Sequence, residues 1–182
     1  AYLEFKIVDD SSPIAAELPA TIKIGEENSL LKKLKGGIPP DNEILFLRDV
    51  NKETGEAIKK PILLKTQVLL TGDFIEDAKV NIDTKYNEPY VSISFNTAGT
   101  KLFEEITANN VKKRLAIIFD GTVYSVPIIQ EKISGGIAQI TGSFTMDEAK
   151  DLATILKAGA LPAPVQIVEE KKLTKDLWQG KK

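Results

Sequence analysis

From Tyr2 to Val8, apolar and polar side chains alternate with a period of two, which predicts a strand with Leu3, Phe5 and Ile7 on one buried side. Asp9-Asp10-Ser11-Ser12-Pro13 breaks that pattern. Ser11 or Ser12 is placed to cap a short helix over Pro13 to Glu17, because proline is tolerated in a first helical turn. Leu30, Leu31 and Leu34 share one side of a short helix predicted over Asn28 to Lys35, which Gly36-Gly37 ends. Glu43 to Leu47 reads as a strand pairing with Pro61 to Leu64 across the polar loop Asn51 to Glu56. Proline fits there as the first residue of an edge strand, since it has no N–H to donate.

Leu69 to Gly72 then leads to two alternating strands, one on Val80 and Ile82 and one on Val91, Ile93 and Phe95. Asn96 or Thr97 caps a helix whose Leu102, Phe103 and Ile106 face inward, and Asn109-Asn110 interrupts it. Leu115 to Phe119 is an apolar run stopped by Asp120-Gly121, a dipeptide suited to the positive φ angles of a two-residue hairpin turn. Val123 and Tyr124 resume the strand and Pro127 ends it. After the turn Ser134-Gly135-Gly136, Ala138 and Ile140 alternate with Gln139 and Thr141. Thr145 and Glu148 form a capping box ahead of a helix with Ala149, Leu152, Ala153 and Leu156 on one face. Lys157 suits the negative end of that helix, Gly159 its cap, and Pro162 and Pro164 stop it before a last strand. Runs of strands with helices between them predict an α+β fold, with a mixed or antiparallel sheet carrying helices on one face.

A chain of 182 residues that is 42% hydrophobic can bury a real core. Its 24 basic and 26 acidic residues nearly cancel, which argues against a nucleic-acid partner. No stretch approaches the roughly 20 apolar residues that span a bilayer. The chain opens straight into a strand pattern, so we expect a piece of something larger.

Chemistry is sparse. The chain has no cysteine and no histidine, which removes thiolates and the commonest general base and metal ligand. Glu104 and Glu105 are adjacent on a helix and diverge, whereas Asp147 and Asp151 share a face on which Asp147 supports the helix dipole. Asp73, Glu76, Asp77 and Asp83 lack calcium-loop spacing. Ser29 to Lys32 reads S-x-x-K without its companion motifs. Ser134-Gly135-Gly136 lacks a P-loop lysine, and Lys112-Lys113-Arg114 reads as exposed charge. We expect no enzyme, no cofactor and no bound metal.

The segments LFEEIT, RLAIIFDGTVYSVPIIQEKISGGIAQITGSF and LKAGALPAPV resemble the first periplasmic domain of the SecD family of bacterial protein-export subunits. LEFKIVDD and LLTGDFIEDAKV fit as well, so the resemblance covers residues 2–10 and 68–170, while KKLTKDLWQGKK at 171–182 departs from it and reads as a tail. The resemblance implies a ferredoxin-like base, residues 1–8 and 67–170, bearing an inserted head at 9–66. It also implies a multi-pass membrane parent on the periplasmic face of the bacterial inner membrane, working with SecF and the SecYEG channel. Its proton-carrying residues belong to the membrane part. The implied task is to hold emerging unfolded preprotein and to hinder backsliding by changing head orientation. The rival reading is a docking platform for other translocase subunits without client contact.

Within the expected head, Leu30, Leu31, Leu34, Ile44, Phe46, Ile62 and Leu64 are many aliphatic and aromatic side chains for one helix and one hairpin. Either they close a private core, or part of the set lines a groove for a client chain. We take Leu30, Leu34, Ile44, Phe46, Ile62 and Leu64 as candidate client contacts. Asp10, Pro13, Thr66 and Gly72, at the two crossings between the expected head and base, are candidate hinge residues.

Overall fold

The computed structural model describes residues 2–142 and 144–159. The stop at Pro162 and Pro164, the last strand and the 171–182 tail lie outside them. The strands are β1 (Leu3–Ile7), β2 (Ile22–Lys23), β3 (Asn42–Val50), β4 (Ala57–Lys65), β5 (Leu70–Thr71), β6 (Ile75–Asp83), β7 (Glu88–Phe95), β8 (Leu115–Phe119), β9 (Thr122–Ser125) and β10 (Ile137–Ile140). The helices are α1 (Glu27–Leu34), α2 (Thr97–Asn109) and α3 (Met146–Gly159), with short 3₁₀ turns at Pro13–Glu17 and Gly72–Phe74. The fold is α+β, but its strands divide between two sheets, one of seven strands in the order β2-β4-β3-β9-β8-β1-β5 and one of three in the order β10-β7-β6.

The larger sheet curls round on itself. Neighbours β1 and β8, β8 and β9, and β3 and β4 are antiparallel, and β3 runs parallel to β9. A bridge between Val8 and Leu64, with the Asp9 N–H donating to the Leu63 carbonyl at 2.9 Å, joins β4 back to β1. Five strands therefore close a small barrel. Its interior holds Val8, Ile62, Leu64, Ala116, Ile118 and Val123. Lys6 is buried and pairs with Glu43 and Glu4, so its charge in this wall is met by two carboxylates.

Alternation on β1 and β8 sends Leu3, Phe5, Leu115, Ile117 and Phe119 to the outside of the barrel, where a second core forms. There the apolar face of the three-stranded sheet (Ala78, Val91, Ile93, Phe95, Ala138 and Ile140) meets α2 and α3. The opposite face of β7 carries Ser92 and Ser94. Gly99 is needed in α2 because a Cβ there would lie 2.7 Å from the Phe74 Cβ and 2.9 Å from the Phe74 carbonyl oxygen. A third, small core joins Ile14, Ile44 and Leu63, with Leu31, Leu34 and Phe46 at its edge.

Local signals are realised as read. Asp120 and Gly121 have φ of 49° and 80°, as the β8–β9 turn requires. The Thr145–Glu148 capping box makes both reciprocal bonds, at 2.9 and 3.1 Å. The Asn96 side chain accepts the Gly99 N–H at 2.8 Å. Three expectations change. The single sheet becomes two because β10, β7 and β6 pair among themselves and not with β1, β8 or β9, and the β3–β4 hairpin joins the larger sheet through β3 and β9 rather than forming a sheet of its own. Pro61 sits within β4, tolerated because β2 pairs only as far as Lys59 and β1 touches β4 again only at Leu64. Ser11 and Ser12 do not cap the Pro13–Glu17 turn; their N–H groups donate to the Asp9 carboxylate instead.

Candidate functional site

The six candidate client contacts are not brought to one surface. Ile62 and Leu64 point into the barrel, and Ile44 is buried with Ile14 and Leu63. These three are corrected to core residues, because the barrel covers Ile62 and Leu64 on one face of β4 and the third core covers Ile44 on β3. Phe46 and Leu34 are half-buried at the rim of the third core, and Leu30 is half-buried outside it.

An apolar cleft of about 480 Å³ opens elsewhere, between β10 and the extended segment 127–133, with Phe103, Leu115 and Ile117 beneath it. Ile128 and Ile137, 52% and 51% exposed, stand at its mouth. On one side is β10, the last strand of its sheet, bonded only to β7 in the sheet order of the described residues. On the other, residues 127–129 are tied to 112–115 by backbone bonds: Leu115 N–H to the Pro127 carbonyl at 2.8 Å, Ile129 N–H to Lys113 at 2.9 Å and Lys112 N–H to Ile129 at 2.7 Å. The cleft thus lies between a strand edge and an extended chain. A wider depression of about 770 Å³ lies between α3 and β6 and is edged by Lys79, Lys150 and Lys157. Sequence reading missed the cleft because Pro127 marked only the end of a strand. The signal available was the pair Ile128-Ile129 with Ile133, apolar residues outside any predicted element.

Both crossings between residues 9–66 and the rest are tied. Asp9, 7% exposed, accepts the Ser11 N–H (3.0 Å), the Ser11 hydroxyl (2.9 Å) and the Ser12 N–H (3.1 Å) on one oxygen. The other oxygen takes the Asn42 amide at 3.0 Å and faces Lys65 at 3.3 Å. Burial works against its charge, but the bonds from Asn42, Ser11 and Lys65 outweigh that and hold the carboxyl well below the usual carboxylate range. Among the candidate hinge residues, Asp10 makes a two-pronged pair with Arg114 at 2.7 and 3.0 Å, and Pro13 opens the first 3₁₀ turn. The Thr66 N–H donates to the Asp41 carbonyl at 3.0 Å, and Gly72 opens the second 3₁₀ turn against Leu3.

Charged residues singled out in the sequence find structural partners. Asp77 faces Lys157 at 3.4 Å and Glu104 takes the Ser134 hydroxyl at 2.6 Å. Among the described residues, no group of three Asp or Glu is placed to hold a metal, and no helix is long and apolar enough to cross a membrane.

A family model described as the P1 head subdomain of SecDF matches residues 47–163, more than half of the chain. The chain belongs to the SecDF family. It is 54% identical over 145 residues to the protein translocase subunit SecD of Calditerrivibrio nitroreducens, covering 79% of this chain and 28% of that protein. It is 43% identical over 171 residues to SecD of Syntrophobacter fumaroxidans, covering 94% of this chain and 29% of that protein. The chain therefore spans less than a third of these relatives. Among solved structures, one described as a membrane component SecDF that enhances protein export matches with a TM-score of 0.56 at 30% identity, covering 92% of this chain and 69% of that one. SecDF in its super-membrane-facing form matches with a TM-score of 0.57 at 32% identity, covering 89% and 19%. These SecD and SecDF relatives are translocase subunits of the membrane, and the matched 47–163 stretch, like the large sheet, runs across the boundary at residue 66.

Proposed function

We propose that this chain is an extracytoplasmic domain of a protein-export subunit, and that it holds unfolded preprotein in the cleft between β10 and residues 127–133. The observation that carries this reading is an apolar cleft flanked by a strand edge, with Ile128 and Ile137 exposed beside it. An unfolded client offers apolar side chains and unpaired backbone together, and a groove next to a strand edge accepts both with little sequence selectivity. Release must be fast enough for forward movement, so modest affinity suits the task.

In this reading the partners are SecF and SecYEG, reached through the rest of the subunit, and the proton gradient acts on the membrane part. Reorientation of a head against a ferredoxin-like base would use the crossings at 9–13 and 64–72. The Asp9 bonds and the Asp10–Arg114 pair must then open, or travel with whichever side moves.

The half-exposed Leu30, Leu34 and Phe46 favour the second reading, a platform on which other translocase subunits dock. Photo-crosslinking side chains placed at Ile128 and Ile137, and separately at Leu34 and Phe46, in the full-length subunit during export into inverted vesicles separate the two. Adducts from Ile128 and Ile137 to the translocating chain support client holding. Adducts only to other subunits, from either pair, overturn it in favour of docking.

A further inference from the structure

Residues 130–135 run along one side of the cleft, which Gln130, Glu131 and Ile133 line, between two backbone anchors. The first is the set of bonds joining 127–129 to 112–115; the second is the Phe95 N–H, which donates to the Gly136 carbonyl at 2.9 Å. Between them, the chain is held to α2 by side chains. The Ile133 N–H donates to the Thr107 hydroxyl at 2.9 Å, the Ser134 hydroxyl donates to Glu104 at 2.6 Å, and Lys132 lies 3.9 Å from the same carboxylate. Ile133 is the half-buried apolar foot of this segment, turned onto the core beneath the cleft.

We propose that residues 130–135 form a strap that opens and closes the apolar cleft, latched to α2 by Glu104 and Thr107. Two features make the latch releasable. The Glu104–Ser134 bond and the Lys132 pair lie in solvent, where such contacts hold weakly. Thr107 is fully buried and donates its own proton to the Phe103 carbonyl at 2.9 Å, so it stays satisfied when the strap leaves. Opening then exposes one new N–H, that of Ile133, to water.

The C-terminal end of the strap is a built pivot. Gly136 has φ of 74°, and a Cβ there would come within 2.4 Å of the Thr100 hydroxyl oxygen, so the chain turns past α2 only as glycine. With the strap open, Ile133 leaves the cleft and Leu115 and Ile117 become the surface a client meets. This proposal rests on the cleft being the client site, but its test does not.

The chain has no cysteine, so a single thiol reports on one place. Leu115→Cys puts it on the cleft floor and Val123→Cys puts it inside the barrel. Added Glu104→Ala should speed maleimide labelling of the floor thiol by about threefold or more and leave the barrel thiol unchanged, as local opening requires. Labelling of the floor thiol that stays within about twofold, or equal acceleration of both thiols, overturns the strap. Should Leu115→Cys fold poorly, amide hydrogen exchange of the cysteine-free chain answers the same question. Glu104→Ala should quicken exchange at 131–135 and spare β7 and β8, and unchanged exchange at 131–135 overturns the proposal. A strap that opens while no client crosslinks form at Ile128 and Ile137 would leave the strap standing and sink the client reading.

Discussion

Asp9 shows how much one side chain can organise. Its carboxylate ends β1, fixes the turn through Ser11 and Ser12, and reaches across to Asn42 and Lys65 on the hairpin. Replacing it with alanine leaves the buried Asn42 amide short of a partner, at a cost of roughly 1–3 kcal/mol, to be measured by urea unfolding at neutral pH. The charge also predicts a pH dependence. Because the folded carboxyl lies below its unfolded value near 3.8, its stabilisation is fully present above that value and is lost as pH falls through it towards the folded one. Asp9→Asn should therefore flatten the fall in stability below about pH 4, and an equally steep acid limb in that variant would refute the assignment. Asp9 read only as a strand breaker in the sequence, since Asn42 and Lys65 lie far along the chain. Asp120-Gly121 and Thr145–Glu148 were legible because their partners sit within three residues. Gly99 was not, since the clash that excludes a side chain comes from Phe74, and Gly99→Ala should cost roughly 1–3 kcal/mol in the same assay.

Between elements, Arg48 ties the β3–β4 hairpin to α3. Its guanidinium lies 5.3 Å from the Tyr124 ring centroid and 5.5 Å from that of Phe144, and it pairs with Glu148. The two rings stack with centroids 6.2 Å apart, and Glu148 uses its other oxygen in the capping box. One carboxylate thus starts the helix and holds the hairpin. Arg48→Ala should destabilise by about 1–2 kcal/mol through the lost ring contacts. Arg48→Lys should recover only part of that, because an ammonium lacks the planar face. Equal stability of the lysine variant and the parent in thermal unfolding would show that charge alone matters. The elements themselves were readable from period-two alternation, as in β1, β7 and β10, since each buries one face. Arg48 was not readable, because the parallel pairing that sets β3 beside β9 brings Tyr124 to it.

For the whole molecule, the deciding feature is that Leu64 and Ile62 share a core with Val8, Ala116, Ile118 and Val123. Alternation tells which side of a strand is apolar but not which distant strand will cover it, so the sequence suggested a private core for residues 9–66. The barrel instead makes three separated stretches of chain cover one another, and the candidate client residues Ile62 and Leu64 are spent on that closure. Leu64→Ala should cost roughly 2–5 kcal/mol, as truncation of a fully buried leucine does. Its pattern is more telling than its size. Segments that share a core open together, so hydrogen exchange in Leu64→Ala should quicken in β1, β8 and β9 along with β3 and β4. The three-stranded sheet, whose apolar face packs into the separate core beneath α2 and α3, should change less. If faster exchange were confined to residues 9–66, that stretch would be an independent body and any swing would pivot at its two crossings. If β8 and β9 respond with β4, a swing must carry the barrel as one piece, and the moving joint lies between the barrel and what packs against it.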